Sequence, residues 1–103
     1  MDPLYVKTVT AITTNAFTFP ILVSKITLQH ADGAAVLAAS LIEGTTNTTT
    51  AHIGLTTNLA DGTTFDRYTE ADFDPPVLIG DTVANVYIDV TGTGTVRVFY
   101  RRT

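Results

Sequence analysis

Few residues in this 103-residue sequence have types and spacing suited to catalysis. The only imidazoles belong to His30 and His52, and neither lies in a metalloprotease motif or beside a nucleophile. Ser24 lies in a strand-like run and lacks the glycine-flanked turn of a nucleophile elbow. Cysteine is absent, which excludes thiol catalysis, disulfides and thiolate-held metal centres. We therefore predict that the protein is not an enzyme and needs no cofactor.

Two groups of side chains have atoms that metals bind. His30, Asp32 and His52 offer nitrogen and oxygen ligands, but their spacing lacks the short, fixed order of zinc motifs. The carboxylates between Asp61 and Asp74 offer oxygen ligands for calcium, although the glycine and terminal glutamate of an EF-hand loop are out of register. We expect no metal and interpret the acidic segment as a solvated loop.

Charge is unevenly distributed along the chain. The net charge of -4 disfavours nucleic acid as a partner, because binding to phosphates requires clustered lysine and arginine. Acidic residues concentrate between Asp61 and Asp89, whereas Arg97, Arg101 and Arg102 lie near the end of the sequence. We expect these arginines to meet acidic groups on another protein subunit. Residues 1–7 lack the features of a secretory leader, and no apolar run approaches the roughly 20 residues of a membrane span.

The elements that must position these residues are strands. Threonine occupies 21 of the 103 positions, and its branched side chain suits a pleated sheet. Turn signals such as Asp32-Gly33 and Asp61-Gly62 separate apolar runs of strand length. The sequence predicts an all-β fold, a single antiparallel β-sandwich or jelly-roll-like domain of about eight strands with an extended N-terminal segment. Residues 1–20 form an N-terminal arm or first strand in this interpretation, and residues 21–103 form the β-sandwich domain.

Alternation of apolar and polar residues locates the clearest strands. Residues 22–30 alternate, which predicts that Leu22, Ser24, Ile26 and Leu28 face the core. Residues 86–90 and 96–100 also alternate, and the glycine-bearing loop between them predicts a hairpin whose edge presents the arginines.

Other segments give weaker signals. Residues 34–42 fit a strand better than a short helix, and the segment between Leu59 and Asp74 shows no period and predicts a long loop. Further strands are predicted at residues 4–11, 49–55 and 76–79.

The order of several segments carries a family resemblance. Residues 73–81 read FDPPVLIGD, and residues 86–100 read VYIDVTGTGTVRVFY. Residues 23–33, VSKITLQHADG, precede them, with residues 36–42 as the next strand. In order and size, these segments resemble the strands of small β-sandwich virion proteins of tailed bacteriophages over roughly residues 23–101.

This resemblance implies a structural role on a virion, as a capsid decoration or cement protein. It implies that the protein binds the major capsid protein and neighbouring copies of itself, as a dimer or a trimer. The expected location is the capsid exterior, after synthesis in the host cytoplasm. No catalytic residues are implied, and we expect no nucleic acid or membrane partner.

Two alternatives remain open. The first is a carbohydrate-binding β-sandwich module, in which Tyr5, Tyr68, Tyr87 and Tyr100 provide stacking surfaces. The second is another virion component, such as a neck or tail protein.

Contacts with partner proteins are expected where apolar or aromatic anchors lie near charged residues. The N-terminal segment is also a candidate for addition to an uncovered sheet edge. The candidate interface residues are Leu4, Tyr5, Val6, Phe17, Phe19, Phe65, Tyr68, Phe73, Arg97, Arg101 and Arg102.

Overall fold

The computed structural model describes residues 4–30, 37–44, 53–56, 68–81 and 85–103, and within these ranges all regular structure is β-strand. All pairings between neighbouring strands are antiparallel. The strands are β1 (Tyr5–Val9), β2 (Thr13–Phe17), β3 (Ile21–His30), β4 (Ala38–Glu43), β5 (Ile53–Thr56), β6 (Tyr68–Ile79), β7 (Val86–Thr91) and β8 (Gly94–Arg102).

Two four-stranded sheets contain these strands. The first sheet has the order β1-β8-β3-β6, and the second has the order β2-β7-β4-β5. Among the described strands, β4 and β5 alone are consecutive in the chain and adjacent in one sheet. The chain therefore passes repeatedly from one sheet to the other. This arrangement confirms the all-β prediction and is compatible with a β-sandwich.

One hydrophobic core unites the two sheets. Ile26 and Val98 contribute to it from the first sheet, and Leu41 and Ile88 contribute from the second. The ring of Phe17 on β2 lies edge-on to the ring of Tyr100 on β8, with centroids 4.8 Å apart, so aromatic packing also joins the sheets. Burial of these inner side chains is the main force that holds the sheets together.

A bulge in β3 corrects the predicted core face. Across β8, Val23 pairs with Tyr100 and Lys25 pairs with Phe99, so Ser24 is an extra residue in the ladder. One extra residue exchanges the two faces of a strand. Ile26 and Leu28 face the core as predicted, but on the other side of the bulge Val23 is buried and Leu22 lies on the outside.

The predicted hairpin between residues 86–90 and 96–100 is wrong, although both segments are strands. β7 pairs with β2 and β4, whereas β8 pairs with β1 and β3 in the other sheet. The turn at Gly92, which has a φ of 91°, therefore connects the sheets. Alternation shows which residues face a core but does not identify the neighbouring strand. Consequently, β8 is an interior strand, and the arginines do not lie on a sheet edge.

The predicted loop between Leu59 and Asp74 is wrong in its last residues, because β6 begins at Tyr68. Val23 of β3 pairs with Val77 of β6, and Lys25 pairs with Asp72. The pairing therefore advances by five residues on β6 and by only two on β3, which makes this stretch of β6 irregular. The irregular stretch contains the cis Asp74-Pro75 bond. Before it, Tyr68–Asp72 pairs regularly with β3, but the residue types of this stretch show no alternation of apolar and polar side chains. Residues 59–67 lie outside the described residues.

The remaining strand predictions agree with the structure where it describes them. β1 lies within the predicted residues 4–11, and β4 confirms that the segment at residues 34–42 forms a strand rather than a helix over its described part. β5 at Ile53–Thr56 overlaps the weaker prediction at residues 49–55.

A buried glutamate links the ends of strands from different sheets. Glu43, the last residue of β4, accepts a hydrogen bond through Oε1 from the backbone N–H of Gly80, at 2.9 Å. Next to it, the N–H of Gly44 donates to the carbonyl oxygen of Asn85, at 2.7 Å. These two bonds hold the turn between β6 and β7 against the end of β4.

Replacement of Glu43 should show the importance of this link. We expect Glu43→Ala to lower the free energy of unfolding by about 1 to 3 kcal/mol, because the buried N–H of Gly80 loses its acceptor. Glu43→Gln is the matched control, since its amide oxygen can still accept this bond. Urea denaturation measures both values, and an equal loss in the two variants would contradict the assigned role.

Gly94 begins β8 where another side chain would collide with the sheet. A Cβ atom there would overlap the carbonyl oxygen of Gln29 and lie 2.7 Å from Cδ2 of Leu37. We expect Gly94→Ala to cost about 2 kcal/mol or more, as in overpacked cores. Thr93→Ala in the exposed adjoining turn should change stability by less than about 0.5 kcal/mol. Thermal and urea unfolding of both variants test this difference, and a Gly94→Ala protein as stable as the parent would refute it.

Candidate protein-binding surface

The solvent side of the first sheet presents two of the three predicted arginines. Val96 and Val98 of β8 are buried, so the intervening Arg97 and Phe99 project to the opposite side, followed by Arg101. We call this surface the outer face. Its residues are Leu4, Val6 and Thr8 at β1, Arg97, Phe99 and Arg101 on β8, Leu22, Lys25 and Thr27 on β3, and Glu70, Asp72 and Leu78 on β6.

One end of the outer face carries a leucine on three of the four strands of the sheet, a set of residues that we call the apolar row. Leu22 pairs with Arg101 on one side and Leu78 on the other. Leu4 completes this row, because it precedes Tyr5, which pairs with Tyr100 on the inner side. Leu4 is 50% exposed and Leu78 is 44% exposed. Apolar side chains exposed together commonly mark a protein-binding surface.

Arg101 lies inside this apolar row. Its Nε atom is buried and has no hydrogen-bond partner among the described residues. In the next row, Val6 is 49% exposed beside Phe99. An arginine flanked by apolar side chains resembles the composition of interface centres, where arginine is enriched and other charged residues are depleted.

Charge changes sign across the remaining rows. Lys25 on β3 has its Nζ atom 3.5 Å from Oε1 of Glu70 and 3.7 Å from Oδ1 of Asp72, both on β6. The same Nζ atom lies 5.7 Å from the centre of the Phe99 ring. Thr27 is only 2% exposed, although it lies on the outer face between Arg97 and Glu70. The interior strands are therefore basic, and the edge strand β6 is acidic.

The predicted contact residues of the N-terminal segment have different environments. Leu4, Tyr5 and Val6 are exposed. Phe17, in contrast, is 2% exposed and belongs to the core, so the prediction of a surface contact at this position is corrected. Phe17 ends β2 opposite Val86, a buried core residue, and residue type alone could not show that its ring faces inward.

The other aromatic candidates do not form one cluster with the arginines of the outer face. Phe19 is partly buried, and the guanidinium carbon of Arg102 lies 3.9 Å from the centre of its ring. Phe73 is partly buried against the core. Tyr68 begins β6, but its side chain lies outside the described residues, as does Phe65.

Three apolar residues at the surface are not among the predicted contact residues. Leu22, which is half-buried, and the exposed Leu78 lie on the outer face, and Ile12, between β1 and β2, is 54% exposed. Leu78 had no usable signal, because residues 77–79 are all apolar and their types do not show which one faces outward. Leu22 had none either, since the bulge at Ser24 reverses its side of the strand.

Two of the four sheet edges, those of β6 and β2, have features that oppose the addition of another strand. β1 and β2 are each already paired within the chain, so the N-terminal segment is not a free strand over Tyr5–Val9 and Thr13–Phe17. The β6 edge contains Pro75 and Pro76, which lack backbone donors. β2 contains Asn15 at a positive φ of 53° and has an irregular register. Such features oppose the addition of another strand.

Other kinds of site receive no support from the described part of the chain. It contains no pocket and no group of three or more metal-binding side chains. The side chains of His30, Asp32, His52 and Asp61 fall outside the described residues. None of the described segments is a helix able to cross a membrane.

Comparison with known proteins gives no match: no family model, curated protein or solved structure is significantly similar to this chain.

The ion pairs of Lys25 should contribute little to stability. We expect Lys25→Met to lower the free energy of unfolding by less than about 1 kcal/mol, because the charged groups are partly exposed to solvent. High salt should reduce the difference. Lys7→Met is the control, since Lys7 forms no ion pair with a described residue. Urea denaturation at low and high salt measures both variants, and a loss well above 2 kcal/mol would contradict this view.

Proposed function

We propose that this protein is a structural virion protein of a tailed bacteriophage, a capsid decoration or cement protein that binds the major capsid protein shell. The strand order is the observation that carries this proposal. The strand orders β1-β8-β3-β6 and β2-β7-β4-β5 are compatible with a jelly roll, in which the chain winds between two sheets. Jelly rolls serve as viral capsid domains and as lectins. The segments that resemble phage virion proteins include β3, β4 and β6 to β8.

The surface of the domain supports a role in protein binding. Tyr5, the first residue of β1, and Ile12, between β1 and β2, are exposed. Neither residue belongs to the row formed by Leu4, Leu22 and Leu78. We assign the contact with the shell to Ile12 and Tyr5. Each copy can bind weakly, because a capsid offers many equivalent positions and linked contacts add avidity. The place of action is the capsid exterior, after synthesis in the host cytoplasm.

Tyrosine packing favours a protein partner over a carbohydrate. Tyr87 is buried, and the Tyr100 ring packs between the rings of Phe17 and Tyr5, at 4.8 and 5.6 Å. Of the tyrosine rings that the structure describes, that of Tyr5 is the most exposed. Sugar binding by stacking generally requires an open aromatic face, so the described tyrosines provide little of the necessary surface.

Binding to capsid shells tests the proposal directly. Shells assembled from the major capsid protein of the same virus should sediment with the purified protein at a fixed, saturable ratio. Ile12→Lys should weaken this binding at least tenfold, about 1.4 kcal/mol, because it places a charge in an apolar contact. Thr93→Lys carries the same added charge in the turn between β7 and β8 and should bind like the parent.

Virion imaging distinguishes the alternatives. Antibody label on purified particles should cover the capsid surface, and cryo-electron density should place the domain outside the shell. Label on the neck or tail would assign the protein there instead. Absence from particles, together with glycan-array binding that Tyr5→Ala abolishes, would favour the carbohydrate-binding alternative.

A further inference from the structure

We propose that the outer face of the first sheet binds the same face of a second copy of this chain, forming a symmetric dimer. This inference goes beyond the proposed virion role and does not depend on it. The evidence is the way in which apolar and charged residues are distributed over the four strands.

The apolar row spans the full width of the sheet. Leu4 lies at one edge and Leu78 at the other, with Arg101 and Leu22 between them. The two edge residues are each about half exposed. A row that reaches both edges can bury all its apolar members at once only against a surface of similar width. A second copy of the same sheet provides that width.

A two-fold axis parallel to the strands, lying in the interface above the middle of the sheet, brings the two outer faces together. This operation places β1 over β6 of the second copy and β8 over β3. Leu4 then faces Leu78 of the second copy, and Arg101 faces Leu22. Each contact occurs twice, as in any isologous interface. The apolar stem of Arg101 can pack on the leucine while its guanidinium reaches polar atoms.

The same operation places no charged residue directly opposite a residue of the same charge. Arg97 faces Thr27 of the second copy, and Glu70 faces the uncharged Thr8. Lys25 faces Phe99, the residue type that its ammonium already approaches within its own chain. Asp72 faces Val6 of the second copy. Sideways, Arg97 is offset by one strand spacing both from the acidic strand β6 and from the Arg97 of the second copy, so charge neither selects nor opposes this arrangement. The apolar row and the width of the face carry the inference.

The size of the face predicts a reversible dimer. Four strands spaced by about 4.8 Å, and nine residues of β8 at about 3.4 Å each, give roughly 600 Å² per copy. The total of about 1,200 Å² lies at the lower limit of specific protein interfaces. We therefore expect monomer and dimer to coexist as the concentration changes.

Sedimentation velocity of the purified protein tests the dimer over concentrations from roughly 1 μM to 1 mM. The parent protein should shift from monomer to dimer within this range. Leu78→Lys should raise the dissociation constant at least tenfold, because the lysine would be buried against Leu4 of the second copy. Thr14→Lys adds the same charge to an exposed position of the second sheet and should dimerise like the parent. Circular dichroism and thermal unfolding verify that both variants are folded.

Chemical cross-linking tests the orientation, and the absence of natural cysteine makes it specific. Within one chain, positions 4 and 78 lie three strand spacings apart, about 14 Å. A bis-maleimide shorter than this should join Leu4→Cys to Leu78→Cys only between copies. The double variant should yield covalent dimers, whereas a Thr14→Cys, Leu78→Cys variant should not.

Three results would overturn the inference. They are a parent protein that stays monomeric throughout the range, a Leu78→Lys variant that dimerises like the parent, and cross-linking that is equal in the two cysteine pairs. Sedimentation and cross-linking use the isolated chain, so they remain independent of the virion test.

Discussion

The shared core of the two sheets is the constraint on which the rest of the structure depends. A four-stranded sheet with one apolar side is unstable until that side is covered, and here each sheet covers the other. Ile26 and Val98 on one sheet, with Leu41 and Ile88 on the other, determine which side of each strand faces inward. By alternation, they also determine which residues must face solvent. The outer face is thus a consequence of how the core is filled.

The connections between sheets make this dependence stronger. Because β7 and β8 lie in different sheets, neither gains stability from pairing with the strand that follows or precedes it in the chain. Each sheet instead unites strands that are distant in sequence, as with β1 and β8. Forming either sheet therefore brings both ends of the domain together. The hydrogen bond from Gly80 to Glu43 is also long-range, since it joins residues 37 positions apart, and it holds the end of β4 beside the end of β6.

The sequence was sufficient to predict most of the strands, but not β2, the first half of β6 or the arrangement of the strands in sheets. Threonine content and alternation predicted an all-β chain, and residues 22–30 and 96–100 matched β3 and β8 closely. The hairpin prediction failed because alternation is the same whether the next strand lies beside its predecessor or in the opposite sheet. For the site, Leu4, Val6, Arg97 and Arg101 lie on the outer face, and their contact with a partner stays a prediction, whereas Phe17 lies in the core. Side-chain type indicates a capacity for contact, but burial depends on register.

Register also explains why the apolar row exists. Without the extra residue at Ser24, Leu22 would share the side of Ile26 and Leu28 and would be part of the core. The bulge places Val23 inside instead and turns Leu22 outward between Arg101 and Leu78. The irregular stretch of β6 lies opposite this bulge, so Leu78 still pairs with Leu22 and lies on the same side of the sheet. Two local irregularities thus separate an apolar row from the charged rows that follow, and a regular ladder through Ser24 would have left Arg101 without Leu22 beside it.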